Sequence, residues 1–390
     1  MKVLSVHNYY QHPGGEDQVF QAEADLLESH GHQVLRYVDD NDRINSVTSV
    51  PTSVTAVWSR QTFRRIRALV RAERPDVVHF HNTFPLISPS ALHAARVNGT
   101  AVVQTLHNYR LLCPMGQFFR EGRVCEDCLG RGTAWPGVLH ACYRDSVAAT
   151  AAVAVMLAVH RRLKTWHDKP HVHIALTEFA RRKFIEGGFP EDRIVVKPNF
   201  VASDPGPGAG EGEYALFVGR LSPEKGIDVM LEAWRRLEGS VPLVIVGGGP
   251  LSRRVARAAD SSPALRWLGW RPRDEVHAIQ RNARFVVFPS QWYETFGMSI
   301  VEAFAAARPV VATDLGAPAE LVAPGRTGWL VPPGDAGALA DAMRAAWSDP
   351  AASAALGRAA RREYEEKYNA GRAYENLMAI YATACERARS

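Results

Sequence analysis

The sequence predicts an α/β protein built as two doubly wound, parallel-sheet domains that face each other. Three observations carry that expectation. Short β-branched runs alternate with helical patterns, the alternation falls into two consecutive series, and a stretch rich in Pro and Gly separates them. The chain's 390 residues also exceed what one ordinary core accommodates.

In the first series, residues 1–200, strands are expected at 3–7, 33–37, 76–80, 101–106, 173–177 and 194–197. The stretch 201–213 contains Ser203-Asp204-Pro205-Gly206-Pro207-Gly208-Ala209-Gly210-Glu211-Gly212, which offers no apolar periodicity and reads as a linker. The second series, 214–358, places strands at 215–218, 243–246, 266–268, 285–288, 310–312 and 328–331, with helices at 228–237, 274–282 and 298–307. The remaining stretch, 359–390, is helical and is expected to return to the first domain. Ligands of open parallel sheets bind beyond the carboxyl ends of the strands, so the expected site is the cleft between two such domains.

A composition of 46% hydrophobic and 22% charged residues excludes a disordered or fibrous chain. The net charge of +5 arises in residues 1–200, which hold 24 Lys and Arg against 19 Asp and Glu, whereas 201–390 hold 22 of each. That surplus suits an acidic partner or an anionic membrane surface, and no nucleic-acid partner is expected. Met1 leads directly into a strand-like run without a signal peptide, and the apolar segment 148–159 is about half the length a membrane span requires, so it reads as a buried helix. Five cysteines without a secretion signal suggest a reducing compartment, hence a cytoplasmic location.

Chemistry concentrates in two segments. In Phe288-Pro289-Ser290-Gln291-Trp292-Tyr293-Glu294-Thr295-Phe296-Gly297-Met298-Ser299-Ile300-Val301-Glu302 a buried strand ends in a loop and a helix starts near Phe296-Gly297. Amides at that start favour a phosphate. Glu294 lies before them and Glu302 about one turn into the helix, so one carboxylate reaches a sugar and the other a ribose. In Phe217-Val218-Gly219-Arg220-Leu221-Ser222-Pro223-Glu224-Lys225-Gly226 a strand delivers Arg220 at its end, and Lys225 follows in a loop closed by Gly226. Two cations so placed neutralise a diphosphate, Arg as a fork and Lys as a point charge.

With these motifs the chain resembles family 4 of the sequence-classified glycosyltransferases, retaining enzymes of the GT-B fold with two Rossmann-like domains. The resemblance runs from residue 2 to about 348. It rests on the Glu294/Glu302 pair, Gly219-Arg220-Leu221 with Lys225-Gly226, Val246-Gly247-Gly248-Gly249-Pro250, and the loop Pro13-Gly14-Gly15-Glu16 before a helix that ends in Ser29-His30-Gly31-His32. It implies that Glu302 binds the ribose of a nucleotide-sugar donor, and that Arg220 and Lys225 bind the diphosphate. Glu294 with the amides of Phe296 and Gly297, next to Met298, would hold the transferred sugar. The Gly14 and Gly15 backbone would close over the phosphates, and Gly269-Trp270-Arg271 would lie by the base. His107, ending a strand, matches the family histidine near the sugar hydroxyls and leaving group, whereas His79 and His81 read as structural. Retention would follow a front-face route in which the leaving diphosphate takes the acceptor's proton, with no cofactor or divalent metal required for catalysis. A UDP-sugar is expected somewhat ahead of a GDP-sugar, the acceptor is an unidentified hydroxyl, and a nucleotide-sugar epimerase or a non-catalytic carbohydrate-binding subunit of the same fold are the alternatives.

Two features lie outside these motifs. Cys113, Cys125, Cys128 and Cys142 have the spacing C-x11-C-x2-C-x13-C in an insertion, 113–142, rich in glycine. Four thiolates with a C-x2-C knuckle suit structural zinc; unligated thiols and a disulfide or redox pair are the other readings. Arg60, Arg64, Arg67 and Arg71 recur at helical spacing, with Phe63, Ile66, Leu69 and Val70 expected on the opposite side. That face is either an ordinary solvated one or a dock for anionic lipid or an acidic acceptor.

Overall fold

The computed structural model describes residues 1–11, 14–42, 52–97, 99–210 and 212–390, so Pro13 and Glu211 lie outside the described residues. The chain divides into two compact units, one of Met1–Phe118, Glu126–Pro198 and Ala373–Ser390, the other of Phe119–Cys125 and Asn199–Arg372.

The first unit is a six-stranded parallel sheet. Its strands are β1 (Lys2–Tyr9), β2 (Gln33–Asp40), β3 (Val77–Phe80), β4 (Ala101–Thr105), β7 (Val172–Ala175) and β8 (Ile194–Val196), in the order β2-β1-β3-β4-β7-β8. A small antiparallel hairpin, β5 (Phe119–Arg120) with β6 (Arg123–Val124), interrupts the series between β4 and β7. Every residue of β3, β4 and β7 is buried, as expected for a parallel sheet covered on both faces. Val3, Val77, Val103 and Ile174 pack with Leu27 of the helix Gly15–Ser29 and with Leu377, Ile380, Tyr381 and Ala384 of the helix Ala370–Arg389.

The return to the first unit therefore begins near Ala373, later than residue 359. Residues 359–367 instead continue the helix Pro350–Lys367, where Gly357 passes so close to the Ala307 carbonyl that a Cβ would stand 2.1 Å from it. The segment at 148–159 lies in the helix Val147–Arg162, which buries Thr150, Val153, Met156 and Leu157 but leaves Val147 and Val155 exposed. It is buried along one face only, and among the described residues no helix is long and apolar enough to cross a membrane.

The second unit repeats the plan with β9 (Ala215–Val218), β10 (Leu243–Val246), β11 (Leu265–Gly269), β12 (Phe285–Phe288), β13 (Val310–Thr313) and β14 (Gly328–Val331), in the order β11-β10-β9-β12-β13-β14. The stretch read as a free linker is instead folded onto this unit. Arg308 donates to the carbonyls of Ala209 and Gly210, and Gly208 donates to the Ala306 carbonyl at 2.9 Å. Glycine is what permits this, because a Cβ at Gly208 would stand 2.0 Å from the Arg281 carbonyl.

Each sheet reverses its strand order once, between β1 and β3 in the first unit and between β9 and β12 in the second. At such switch points the loops after adjacent strands diverge and leave room for a ligand.

Candidate functional site

At the second switch point the loops after β9 and β12 are locked together by their glycines. A 3₁₀ turn, Pro223–Lys225, closes on Gly226 at φ +72°, where a Cβ would stand 1.9 Å from the Pro289 carbonyl. Gln291 N donates to the Glu224 carbonyl at 2.8 Å, and Ser222 Oγ donates to Glu224 Oε1 at 2.6 Å. On the other side Gly247 adopts φ +133° and would meet the Gly219 carbonyl at 1.9 Å with any Cβ.

This framework brings Lys225 Nζ to 2.6 Å from Glu294 Oε1, which also accepts from Ser290 Oγ at 2.6 Å. Glu294 is buried while a quarter of the Lys225 side chain is exposed, at 25%. The sequence reading assigned these two side chains to separate parts of a ligand, whereas in the structure they pair directly. Arg220 lies exposed at the end of β9. Phe296 and Gly297 are buried, and Gly297 caps the helix Met298–Ala305, whose first amides have no intrahelical partner.

One turn in, Glu302 is buried with Arg273 Nη2 at 3.5 Å. His277, one turn further along the same helix, Arg273–Asn282, is held below the usual histidine range by burial and by Arg273, against the opposing pull of Glu302. Sequence reasoning missed both residues, although Arg273 and His277 stand at i and i+4, a spacing that puts them on one helix face. Arg271, expected by the base, stands with its Nε 3.7 Å from Glu275 Oε2 in an exposed pair. Trp270 is 74% exposed, and Gly269, at φ +71°, accepts at its carbonyl from Gly247 N.

In the first unit the loop after β1 carries Gly14 and Gly15. Gly14 N donates to Asp17 Oδ2 at 2.8 Å, and Asp17 Oδ1 pairs with His7 Nε2 at 2.7 Å, which ties the helix start to the strand beneath it. A Cβ on either glycine would meet nothing within 4 Å, so no close approach inside the chain requires glycine there. Beside them Glu16 Oε2 accepts from Tyr10 Oη at 3.0 Å and from Asn108 Nδ2 at 3.2 Å. Burial, with Asp17 beside it, pushes the Glu16 carboxyl up to about 8 despite those two donors.

His107 follows β4 and lines a depression with His81, Asn82, Gln104, Asn108 and Arg110. Its Nε2 lies 3.0 Å from His81 Nδ1. Burial holds its ring well below the usual histidine range, reinforced by His7, His79 and Lys197. It is a neutral imidazole.

No disulfide joins the cysteines. Cys113 and Cys128 are buried and Cys142 half-buried. Their segments converge on Gly137, where a Cβ would stand 3.0 Å from the Pro114 ring and 3.5 Å from Cys128 Sγ, and whose carbonyl accepts from Cys142 N at 3.0 Å. The arginine face is exposed along the helix Arg60–Glu73, which buries Ile66 and Val70. Phe63 departs from expectation. It is half-buried and lies on the arginine side, where Trp58, Arg60, Phe63, Arg64, Arg67 and Arg71 line an open groove and the Arg67 guanidinium stands 5.9 Å from the Phe63 ring. Its ring gains cover from Trp58, at 5.9 Å between centroids, rather than from the core.

Two six-stranded parallel sheets, each reversing its strand order once, are the two Rossmann-like units of the GT-B fold. Residues 204–363 match the family model described as Glycosyl transferases group 1 and residues 13–204 match Glycosyltransferase Family 4; with a relative matched over most of both chains, they show that the chain belongs to the glycosyltransferases. A GDP-mannose-dependent alpha-mannosyltransferase of Mycobacterium tuberculosis (strain CDC 1551 / Oshkosh) is 31% identical over 78% of this chain and 73% of its own length. An O-antigen chain mannosyltransferase C of Escherichia coli is 31% identical over 44% of this chain, and a phosphatidyl-myo-inositol mannosyltransferase of Mycobacterium leprae 34% over 53%. The matches span 47% and 57% of those two relatives' lengths. Among solved structures, Anabaena Alr3699/HepE in complex with UDP and glucose superposes with a TM-score of 0.69 at 17% identity, covering 98% of this chain and 100% of that one. At that identity the likeness establishes the fold.

Proposed function

We propose that the chain is a retaining hexosyltransferase that moves a sugar from a nucleotide diphosphate donor to a hydroxyl acceptor, with GDP-mannose the first donor to test. The observation that carries this reading is the Lys225–Glu294–Ser290 cluster at the second unit's switch point, with Arg220 at the adjacent strand end. Arg220 and Lys225 take the diphosphate, and Glu294 with the amides of Phe296 and Gly297 takes the sugar. Glu302, steadied by Arg273, takes the ribose. Gly269, Trp270 and Arg271 border the base. In the first unit the groups to test are the Gly14 and Gly15 backbone, for the phosphates, and His107, for a sugar hydroxyl or the leaving group. Catalysis is positioning plus stabilisation of charge on the departing diphosphate, which the two cations supply without a divalent metal.

The mannosyltransferase relatives move the donor preference from a UDP-sugar to GDP-mannose, since one of them matches over most of both chains. Incubation with GDP-mannose, UDP-glucose and UDP-galactose, reading released nucleotide and the anomeric configuration of the product, tests the reading. An inverted product would refute retention, and epimerised donor without transfer would mark an epimerase.

For the cysteine insertion we propose one structural zinc ion. Three of its thiol segments converge on Gly137, and Cys125 joins through its C-x2-C spacing to Cys128. Elemental analysis should give about one zinc per chain, lost in Cys128→Ser. Protein purified without chelators and free of zinc, with all four thiols titratable, counts against it.

A further inference from the structure

Behind His107 lies a buried charged group that the reading above does not use. Glu23, on the helix Gly15–Ser29, is 2% exposed, and Lys197, just past β8, is 1% exposed. They pair at 2.5 Å through Glu23 Oε1. The second carboxylate oxygen, Oε2, accepts no hydrogen bond and lies 3.8 Å from His79 Nδ1 and 3.6 Å from His81 Nε2.

The two histidines differ in their other partners. Both nitrogens of His79 are engaged, Nδ1 with Tyr381 Oη at 2.9 Å and Nε2 with Thr105 Oγ1 at 2.8 Å. His81 Nε2 has no hydrogen bond, while its Nδ1 lies 3.0 Å from His107 Nε2. These three side chains, Glu23, His79 and His81, are also close enough to surround a cation. The Lys197 ammonium already fills that electrostatic role, however, and His79 has no nitrogen to spare.

We propose that Glu23, acting through His81, fixes His107 as its Nε2–H tautomer and so makes Nδ1 the nitrogen that accepts a hydrogen bond from a hydroxyl. Both imidazoles are neutral, so each carries one ring proton. A bare His81 Nε2 would set its lone pair against the Glu23 carboxylate in a site with little water to screen it. A protonated Nε2 turns that repulsion into attraction. His81 Nδ1 is then bare and accepts from His107 Nε2–H. Lys197 keeps the carboxylate ionised and in place, and no proton moves along the chain. Glu23 and His81 are thus positioning residues for His107, and they come from the helix after β1 and from the end of β3, the two sides of the first unit's switch point.

The tautomer is read directly, without substrate, on full-length protein with ¹⁵N-labelled histidine. Two-bond ¹H–¹⁵N correlations distinguish Nε2–H from Nδ1–H rings, and loss of one ring's signals in His107→Gln assigns it. A wild-type His107 that is Nδ1–H, or doubly protonated at neutral pH, overturns the proposal. Glu23→Gln should let the His107 tautomer equilibrate and lower kcat about tenfold or more, with the donor KM within about twofold. Glu23→Asp should recover part of that loss. Because Glu23→Gln leaves Lys197 buried without its partner, Glu23→Gln/Lys197→Met serves where the single variant fails to fold. An unchanged tautomer and kcat in that double variant also overturns the relay. The proposal rests on His107 meeting substrate, yet the two can fail separately. An Nε2–H His107 in a protein that transfers no sugar would sink the functional reading and leave the relay standing.

Discussion

The two units place charge differently around their switch points. At the second unit's switch point the side chains are ionic, with Lys225 on Glu294 and Arg273 on Glu302. Behind the first unit's switch point His79, His81 and His107 are buried and kept neutral around the buried Glu23–Lys197 pair, while the outer face of the helix Arg60–Glu73 carries a row of arginines. A diphosphate asks for fixed countercharge. A hydroxyl to be oriented asks for a lone pair in a defined direction, which a neutral imidazole offers and an imidazolium does not.

The largest expected effect breaks the ionic side. Lys225→Ala should lower kcat/KM by about a hundredfold or more, on the precedent of removed transition-state donors, with little change in Tm. Glu294 retains Ser290 as a partner. Wild-type turnover would make Lys225 a mere counterion to Glu294. Next, Glu302→Ala should weaken nucleotide binding by roughly 1.5–3 kcal/mol if a charged hydrogen bond to the ribose is lost, whereas Glu294→Ala should act on turnover. Calorimetry with GDP and steady-state rates on both variants separate the roles, and equal losses of nucleotide affinity would merge them.

A smaller effect probes the first unit. The Glu16 carboxyl is raised from 4.5 to about 8, so the folded chain holds a proton that the unfolded chain has already released. Stability therefore falls as pH rises from about 4.5 to 8, by about 1–2 kcal/mol for this group after allowance for its partial exposure. Glu16→Gln should flatten that slope in denaturant titrations across the interval. An unchanged slope would mean that Glu16 is ionised throughout.

The smallest effect concerns the arginine groove. We propose that it meets anionic lipid, each arginine contributing about 1 kcal/mol at most near such a surface. Wild type should sediment with anionic vesicles at low salt and stay in solution at high salt, and a variant with all four arginines replaced by glutamine should not sediment at all. If wild type ignores anionic vesicles at low salt, the arginines form only a solvated face.

What the sequence disclosed follows the same divide. All twelve sheet strands were legible: central strands such as β3, β4 and β7 are short apolar runs buried on both faces, whereas the edge strand β2, with no fully buried residue, was read from its short β-branched run alone. In the second unit the candidate site is two contiguous segments, and local spacing delivers Lys225 and Glu294 to the same end of the sheet. Their mutual pairing was not legible, because it depends on how far Gly226 lets one loop approach the other. Arg273 lay two residues past Arg271, and only the helix start showed which of the two turns inward. The first unit's relay draws on Glu23, His81, His107 and Lys197, distant in sequence and joined only by sheet order. His79 and His81 read as structural for that reason. The Pro/Gly-rich stretch misled in the other direction, since its glycines serve close packing rather than freedom.

The helix Ala370–Arg389 has a consequence for how the protein is made. Leu377, Ile380, Tyr381 and Ala384 are core residues of the unit whose sheet is laid down in the first 200 positions. On the ribosome that sheet emerges early and waits with an apolar face uncovered, while the second unit, almost entirely residues 199–372, emerges and can close on its own contacts. The unit begun first is finished last. Chains released after residue 372 should keep the thermal transition of the second unit, lose that of the first, and bind chaperones through the bare sheet. The codons for residues 373–390 therefore bear on the solubility of a sheet whose last strand ends at Val196.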